Sequence, residues 1–275
     1  MTPLLLVIEV ARQAALLLLR NRLLLGLVAL GLAIAAVVGV LPDRLFRSQV
    51  GEDLFGMPGY ALLFQFALPL AGTYFGLGAI HSDLVDGSAS HVFAAPVPRV
   101  CLLLGRFLAV TLVVGSGALL VLSAYWLALV LPGHAWRSGF APRPATLLVY
   151  ARGVALAVPA YAAVGVLLGA AFKRPLVAAI VFVVGWEVAV SNLPPEAGVR
   201  GLTIADPVRR FLCGLVPEQE GSRLHRMLEG SSHNRDISRL GEPVSSVLVF
   251  GAVALGLALW IYTRKEYRLR SHADE

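Results

Sequence analysis

The sequence predicts an all-α integral membrane protein with six transmembrane helices, and three observations carry that prediction. Hydrophobic residues make up 57% of the chain and charged residues only 15%, with a mean hydropathy of +0.76. So little polar surface does not cover a water-soluble globule of 275 residues. Crossing the hydrocarbon core takes about 20 apolar helical residues, and the chain holds six windows near that length. The short loops between them alternate in basic density, as the positive-inside rule asks of a polytopic protein.

Residues 3–20 read as an amphipathic helix, because Glu9, Arg12, Gln13 and Arg20 fall on one stripe at the helical period, among leucines and valines. Such a helix either lies along the inner headgroup layer or extends the first span. The six spans are Leu23 to Leu41, Tyr60 to Ile80, Phe107 to Leu131, Ala145 to Ala171, Pro175 to Leu193 and Val244 to Thr263. Pro159 is expected to kink the fourth. In the long loop 194–243, Asp206-Pro207 announces a short capped helix over Val208 to Leu215, and Ser222 to Leu228 suggests a second. That loop reads as a small cap or a partly re-entrant element. With no internal repeat and no soluble domain, residues 1–275 form a single membrane domain.

Orientation follows from charge. With the N-terminus inside, Arg12, Arg20, Arg22, Arg99, Arg106, Lys173, Arg174, Arg264, Lys265, Arg268 and Arg270 share one side, against Arg44, Arg47, Arg137 and Arg143 in the two short opposite loops. Both termini are therefore expected in the cytoplasm. The 194–243 loop falls outside; its arginines are matched in number by acids, and long loops weigh little in the rule. The first apolar segment carries Glu9, Arg12 and Arg20, unlike a cleavable signal peptide, so it is expected to remain in place. Cys101 and Cys213 fall on opposite faces, so no disulfide is expected. The net charge of +6 rests mainly on arginines at loops and helix ends, which suits anionic headgroups and orientation rather than nucleic acid.

The chemistry-bearing patterns are few. A phosphate-binding loop needs lysine after a glycine-rich turn, whereas Lys173 and Lys265 are followed by Arg174 and Glu266. No nucleotide-binding motif, and hence no ATPase activity, is expected of this chain. The six histidines show no metal-ligand spacing, and no Gly-x-Ser-x-Gly elbow is present. No metal or cofactor is expected on the chain itself.

The loop 81–106 differs in kind. Asp83 and Asp86 share one face of a short helix leaving the second span, Gly87 ends it, and Pro96 and Pro98 stiffen the chain before Arg99 starts the third span. A short, stiff loop with an acidic face suits docking in a basic groove of a soluble partner.

The order of Asp83, Asp86, Gly87-Ser88, Pro96-Val97-Pro98-Arg99 and Leu104-Gly105-Arg106 resembles the cytoplasmic loop of ABC exporter permeases of the type-2 class. The amphipathic first helix, six spans, long outer loop and Arg264-Lys265-Glu266 are similar too, so the likeness extends over essentially the whole chain. Gly185-Trp186-Glu187, Ser191-Asn192-Leu193-Pro194 and Leu202-Thr203-Ile204 resemble a second patch of bacterial members. Ser88 stands for the usual Thr, Arg106 for the usual Lys, and the acidic pair is Asp rather than Glu. The resemblance implies a coupling helix between spans two and three, with Asp83, Asp86, Gly87, Ser88, Pro96, Pro98, Arg99 and Arg106 serving the ATPase contact. It further implies two permeases, identical or related, meeting two cytoplasmic ABC ATPase subunits that bind ATP and Mg2+, in a bacterial inner membrane. The expected activity is export of an unidentified, amphipathic or lipid-like substrate. The alternative is a membrane scaffold or mechanotransmitting subunit that does not itself transport.

Two intramembrane charges stand out. Glu187 lies twelve positions into the fifth span, about 18 Å at about 1.5 Å per residue. A carboxylate at such depth costs about 2 to 3 kcal/mol. It either faces a polar cavity or partner, as part of a translocation path or gate, or is structural. Arg152 in the fourth span is its candidate charge partner; snorkelling to the outer headgroups is the other reading. Gly72-x-x-x-Gly76 and Gly165-x-x-x-Gly169 permit close helix approach, a pattern that chance also supplies in a chain with 27 glycines.

Overall fold

The computed structural model describes residues 2–40, 59–85, 98–131, 144–191, 193, 199–215 and 241–264. Among them every regular element is helical and no strand occurs. Helix α1 (Pro3–Leu19) opens with proline in its first turn, where a missing N–H costs nothing. It ends at Arg20, and the Asn21 side chain accepts a hydrogen bond from Leu23 N at 2.9 Å, capping α2 (Arg22–Val40). The two helices meet at 63°.

A π-helical stretch, Gly59–Ala67, leads into α3 (Leu68–Val85). Then comes α4 (Arg99–Val130), which starts directly after Pro98 and takes in the expected third span from Phe107 onward. Pro98 supplies extended backbone before the first turn, and nothing between Val100 and Leu104 breaks a helix. Gly105 explains why the early turns of α4 are ordered against protein: a β-carbon there would stand 2.7 Å from Val10 Cγ1 and 2.8 Å from Val7 O, so α1 rests directly on that glycine. Arg99, expected to start the third span, and Arg106, expected at the end of the coupling loop, both sit on this helix. Arg106 Nη1 donates to Ala79 O at 2.6 Å, serving a carbonyl near the end of α3, and Arg99 Nη1 reaches Thr263 O at 3.4 Å. Helix α3 runs to Val85 and takes in Asp83, and residues 86–97 of the expected coupling loop lie outside the described residues.

Helix α5 (Pro144–Ala171) is the central one, continuous through Pro159 and burying Tyr150, Val154, Val158, Tyr161 and Val166. Against it lies α3, and the two small-residue motifs meet. A β-carbon on Gly76 would stand 2.6 Å from Ala162 O, and one on Gly169 2.8 Å from Leu77 O. One on Gly165 would strike Thr73 O and lie 2.8 Å from Thr73 Cα. Glycine at these positions lets backbone touch backbone. The pattern that chance could have supplied is the seam of the bundle.

Helix α6 (Pro175–Ser191) is π-helical over Val181–Val188. After a short 3-10 turn, Val199–Leu202, comes α7 (Ala205–Leu215), and α8 (Gly241–Arg264) is the last helix among the described residues. Gly59–Ile80, Arg99–Val130, Pro144–Ala171 and Gly241–Arg264 are long and apolar enough to cross a membrane, and the bent pair α1–α2 makes five if it counts as one span. Pro175–Ser191 is apolar but shorter. Leu112, Leu148, Leu248, Val249 and Trp260 lie exposed on the outer surface of this helical set, which in water would be an untenable coat and in lipid is the expected one.

Candidate functional site

Glu187 is the buried polar group around which one end of the bundle is organised. It sits in the π-helical part of α6 and is 1% exposed. Three donors converge on its carboxylate: Ile204 N to Oε1 at 2.9 Å, Ala205 N to Oε2 at 3.0 Å and Tyr161 Oη to Oε2 at 3.1 Å. Three donors and no acceptor form the set that an acceptor-only carboxylate requires. Two of them are orphan N–H groups at the start of α7, which no intrahelical carbonyl serves. A third, Asp206 N, donates to Thr203 Oγ1 at 3.3 Å. The entrance of α7 is thus capped by its own Thr203 and by a carboxylate from another helix.

The apolar side of α7 explains why it stays there. Ile204, Val208 and Leu212 recur at helical spacing and are buried. Leu212 reaches Gly153 on α5, where a β-carbon would stand 2.8 Å from Leu212 Cδ2 and 2.9 Å from Phe64 Cε1. The short helix expected from Asp206-Pro207 is therefore present and docked into the bundle.

On its polar side, α7 forms a charge cluster. The Asp206 carboxylate receives Arg200 Nε at 2.8 Å, Arg209 Nη2 at 3.1 Å and Arg210 Nε at 3.0 Å. Arg209 makes a directed hydrogen bond. The Arg200 and Arg210 Nε contacts are ion pairs whose N–H directions miss the carboxylate.

Other expected residues fare differently. Arg152 is exposed and is not among the hydrogen-bond partners of Glu187. A tyrosine and two backbone N–H groups satisfy Glu187. Asp83 lies on α3, while Asp86, Gly87, Ser88 and Pro96, with Asn192 and the expected helix Ser222 to Leu228, lie outside the described residues. Pro98 precedes the first turn of α4. Cys101 and Cys213 are both buried and neither is in a disulfide.

Sequence reasoning missed Tyr161 and the grouping of Arg200, Arg209 and Arg210 on Asp206. The latter had a usable signal: Asp206 and Arg209 or Arg210 stand three and four apart, on one helix face.

A separate apolar cavity of about 300 Å³ opens between α2, the Gly59–Ala67 stretch with α3, and α4. Leu24, Val28, Gly31, Phe66, Val121 and Tyr125 line it. Its walls offer van der Waals contact and almost no hydrogen-bonding groups, which suits a hydrocarbon chain and repels an ion. No family model matches the chain, and no curated protein matches it.

Proposed function

We propose that this chain is the membrane-spanning permease subunit of an ATP-driven exporter resembling the ABC type-2 class. The observation that carries the reading is the ordered set Asp83, Asp86, Gly87-Ser88, Pro96-Val97-Pro98-Arg99 and Leu104-Gly105-Arg106 between two apolar helices. The helices that flank it support a mechanical role: α3 extends to Val85, α4 begins at Arg99, and Arg106 ties the two together through Ala79 O. A push on residues 86–97 would be delivered to two helices at once. Since α1 rests on Gly105 of the same α4, the first helix would follow. In this reading α1 lies in the inner headgroup layer, α2 and α6 complete six spans, and both termini face the cytoplasm. ATP and Mg2+ belong to separate ATPase subunits, and two permease copies, or this chain and a relative, form the path. The apolar cavity favours an amphipathic or lipid-like cargo.

Replacing both Asp83 and Asp86 by alanine is expected to abolish cargo-stimulated ATP hydrolysis in the reconstituted complex, while the amount of folded protein in the membrane stays normal. Stimulated hydrolysis at the unsubstituted rate would remove those two residues from any coupling role.

A further inference from the structure

The cluster on α7 holds more positive charge than its own acid neutralises. Three guanidinium groups face the single Asp206 carboxylate, with side chains only 7%, 12% and 27% exposed for Arg200, Arg209 and Arg210. Even when Glu187, which caps the adjoining Ile204 and Ala205 N–H groups, is counted, one positive charge remains in excess among the described residues. Charge withdrawn from water demands a counter-charge at hydrogen-bonding distance.

Donors remain for one. Arg200 Nη2 is buried with no hydrogen-bond acceptor among the described residues, Arg200 Nη1 makes only a 3.4 Å contact to Leu193 O, and the Nε atoms of Arg200 and Arg210 meet Asp206 as ion pairs alone. Access is present on one side, because Gly201 is exposed and has no side chain, and Arg210 Nη2 lies 3.9 Å from where its β-carbon would be. Planar guanidinium groups donate paired hydrogen bonds to two oxygens of a tetrahedral phosphate, which a monovalent halide does not offer.

We infer that Arg200, Arg209 and Arg210 form a phosphate-binding site at the end of the bundle where α7 docks, taking the phosphate of a phospholipid headgroup or a free phosphate anion. Asp206 holds the three guanidinium groups in place against their mutual repulsion, and the anion completes the neutralisation. Basic pockets between membrane helices recognise headgroups by this chemistry. The site is separate from the apolar cavity and needs no ATPase, so its failure would leave the permease reading standing.

The test uses the full chain in phosphatidylcholine nanodiscs. Phosphatidic acid with brominated acyl chains is added as the probe, and quenching of tryptophan emission is followed, Trp186 beside Glu187 being a nearby reporter in sequence. Brominated phosphatidylcholine at the same mole fraction is the control. Phosphatidic acid is expected to quench in a saturable way beyond the control, and Arg210→Gln to weaken its apparent affinity about tenfold, with Arg210→Lys recovering part. Quenching untouched by inorganic phosphate assigns the site to lipid headgroups; displacement by inorganic phosphate assigns it to phosphate anions generally. Quenching equal to the control, or equal in Arg210→Gln and the unsubstituted protein, overturns the site. Should Arg210→Gln not fold, the comparison of the two brominated lipids with the unsubstituted protein still decides.

Discussion

Replacing Glu187 by alanine is expected to release α7 from the bundle. The substitution orphans Ile204 N, Ala205 N and Tyr161 Oη together, and each buried donor left without a partner costs about 1 to 3 kcal/mol. Removing the carboxylate also removes its own desolvation cost, which offsets part of that sum. We expect a net loss of about 3 kcal/mol, a large share of the roughly 5 to 15 kcal/mol that holds a domain together. Amide exchange at Ile204 and Ala205 should accelerate, and the thermal midpoint in detergent should fall. Glu187→Gln should fall between the two, since an amide retains one acceptor oxygen but turns an NH2 group toward a donor. Unchanged exchange at Ile204 and Ala205 in Glu187→Ala would mean that those N–H groups depend on some other acceptor.

The second large effect is expected at the α3–α5 seam. Gly165→Leu would drive a side chain into the Thr73 backbone, which has no rotamer to escape into. Overpacking against side chains costs about 1 to 3 kcal/mol; against backbone the helices themselves must separate. Because Gly76 and Gly169 lie in the same seam, one displacement spoils all these contacts. Gly165→Leu should therefore fail to give a monodisperse protein in mild detergent. Gly256→Ala is the matched control, since a β-carbon there has no neighbour within 4 Å, and alanine is the better helix former. It should leave the elution profile unchanged and the thermal midpoint equal or higher. A well-behaved Gly165→Leu protein would contradict the backbone-to-backbone seam.

The apolar helices were legible because lipid imposes one simple demand, length and hydropathy, that a single window of sequence satisfies or fails. The start of α7 was legible for a similar local reason: Asp206-Pro207 is an N-terminal signal written in adjacent residues. The start of α4 was legible in part: Pro98-Arg99 marked its entry, but nothing local told that the Arg99 and Arg106 donors serve Thr263 O and Ala79 O, since the long arginine stem leaves several placements sterically open. The glycine motifs of α3 and α5 were visible but ambiguous, since spacing says that a helix can be approached closely without saying by which neighbour. Glu187 shows the limit most clearly. Its burial could be suspected from its position in an apolar run, but its partners come from α5 and from the entrance of α7, and no local pattern links Tyr161, Glu187 and Ile204. The sequence offered Arg152 either as a charge partner or as a snorkelling residue, and the groups that meet Glu187 carry no charge at all.

The claim that this chain is the membrane half of an ATP-driven exporter is tested most directly by purifying it from its native membrane in mild detergent and asking what comes with it. The account predicts an ATPase subunit in near-stoichiometric amount, whose hydrolysis rises when amphipathic cargo is added. Purification of the chain without any ATPase, from membranes in which that complex should be intact, would contradict it.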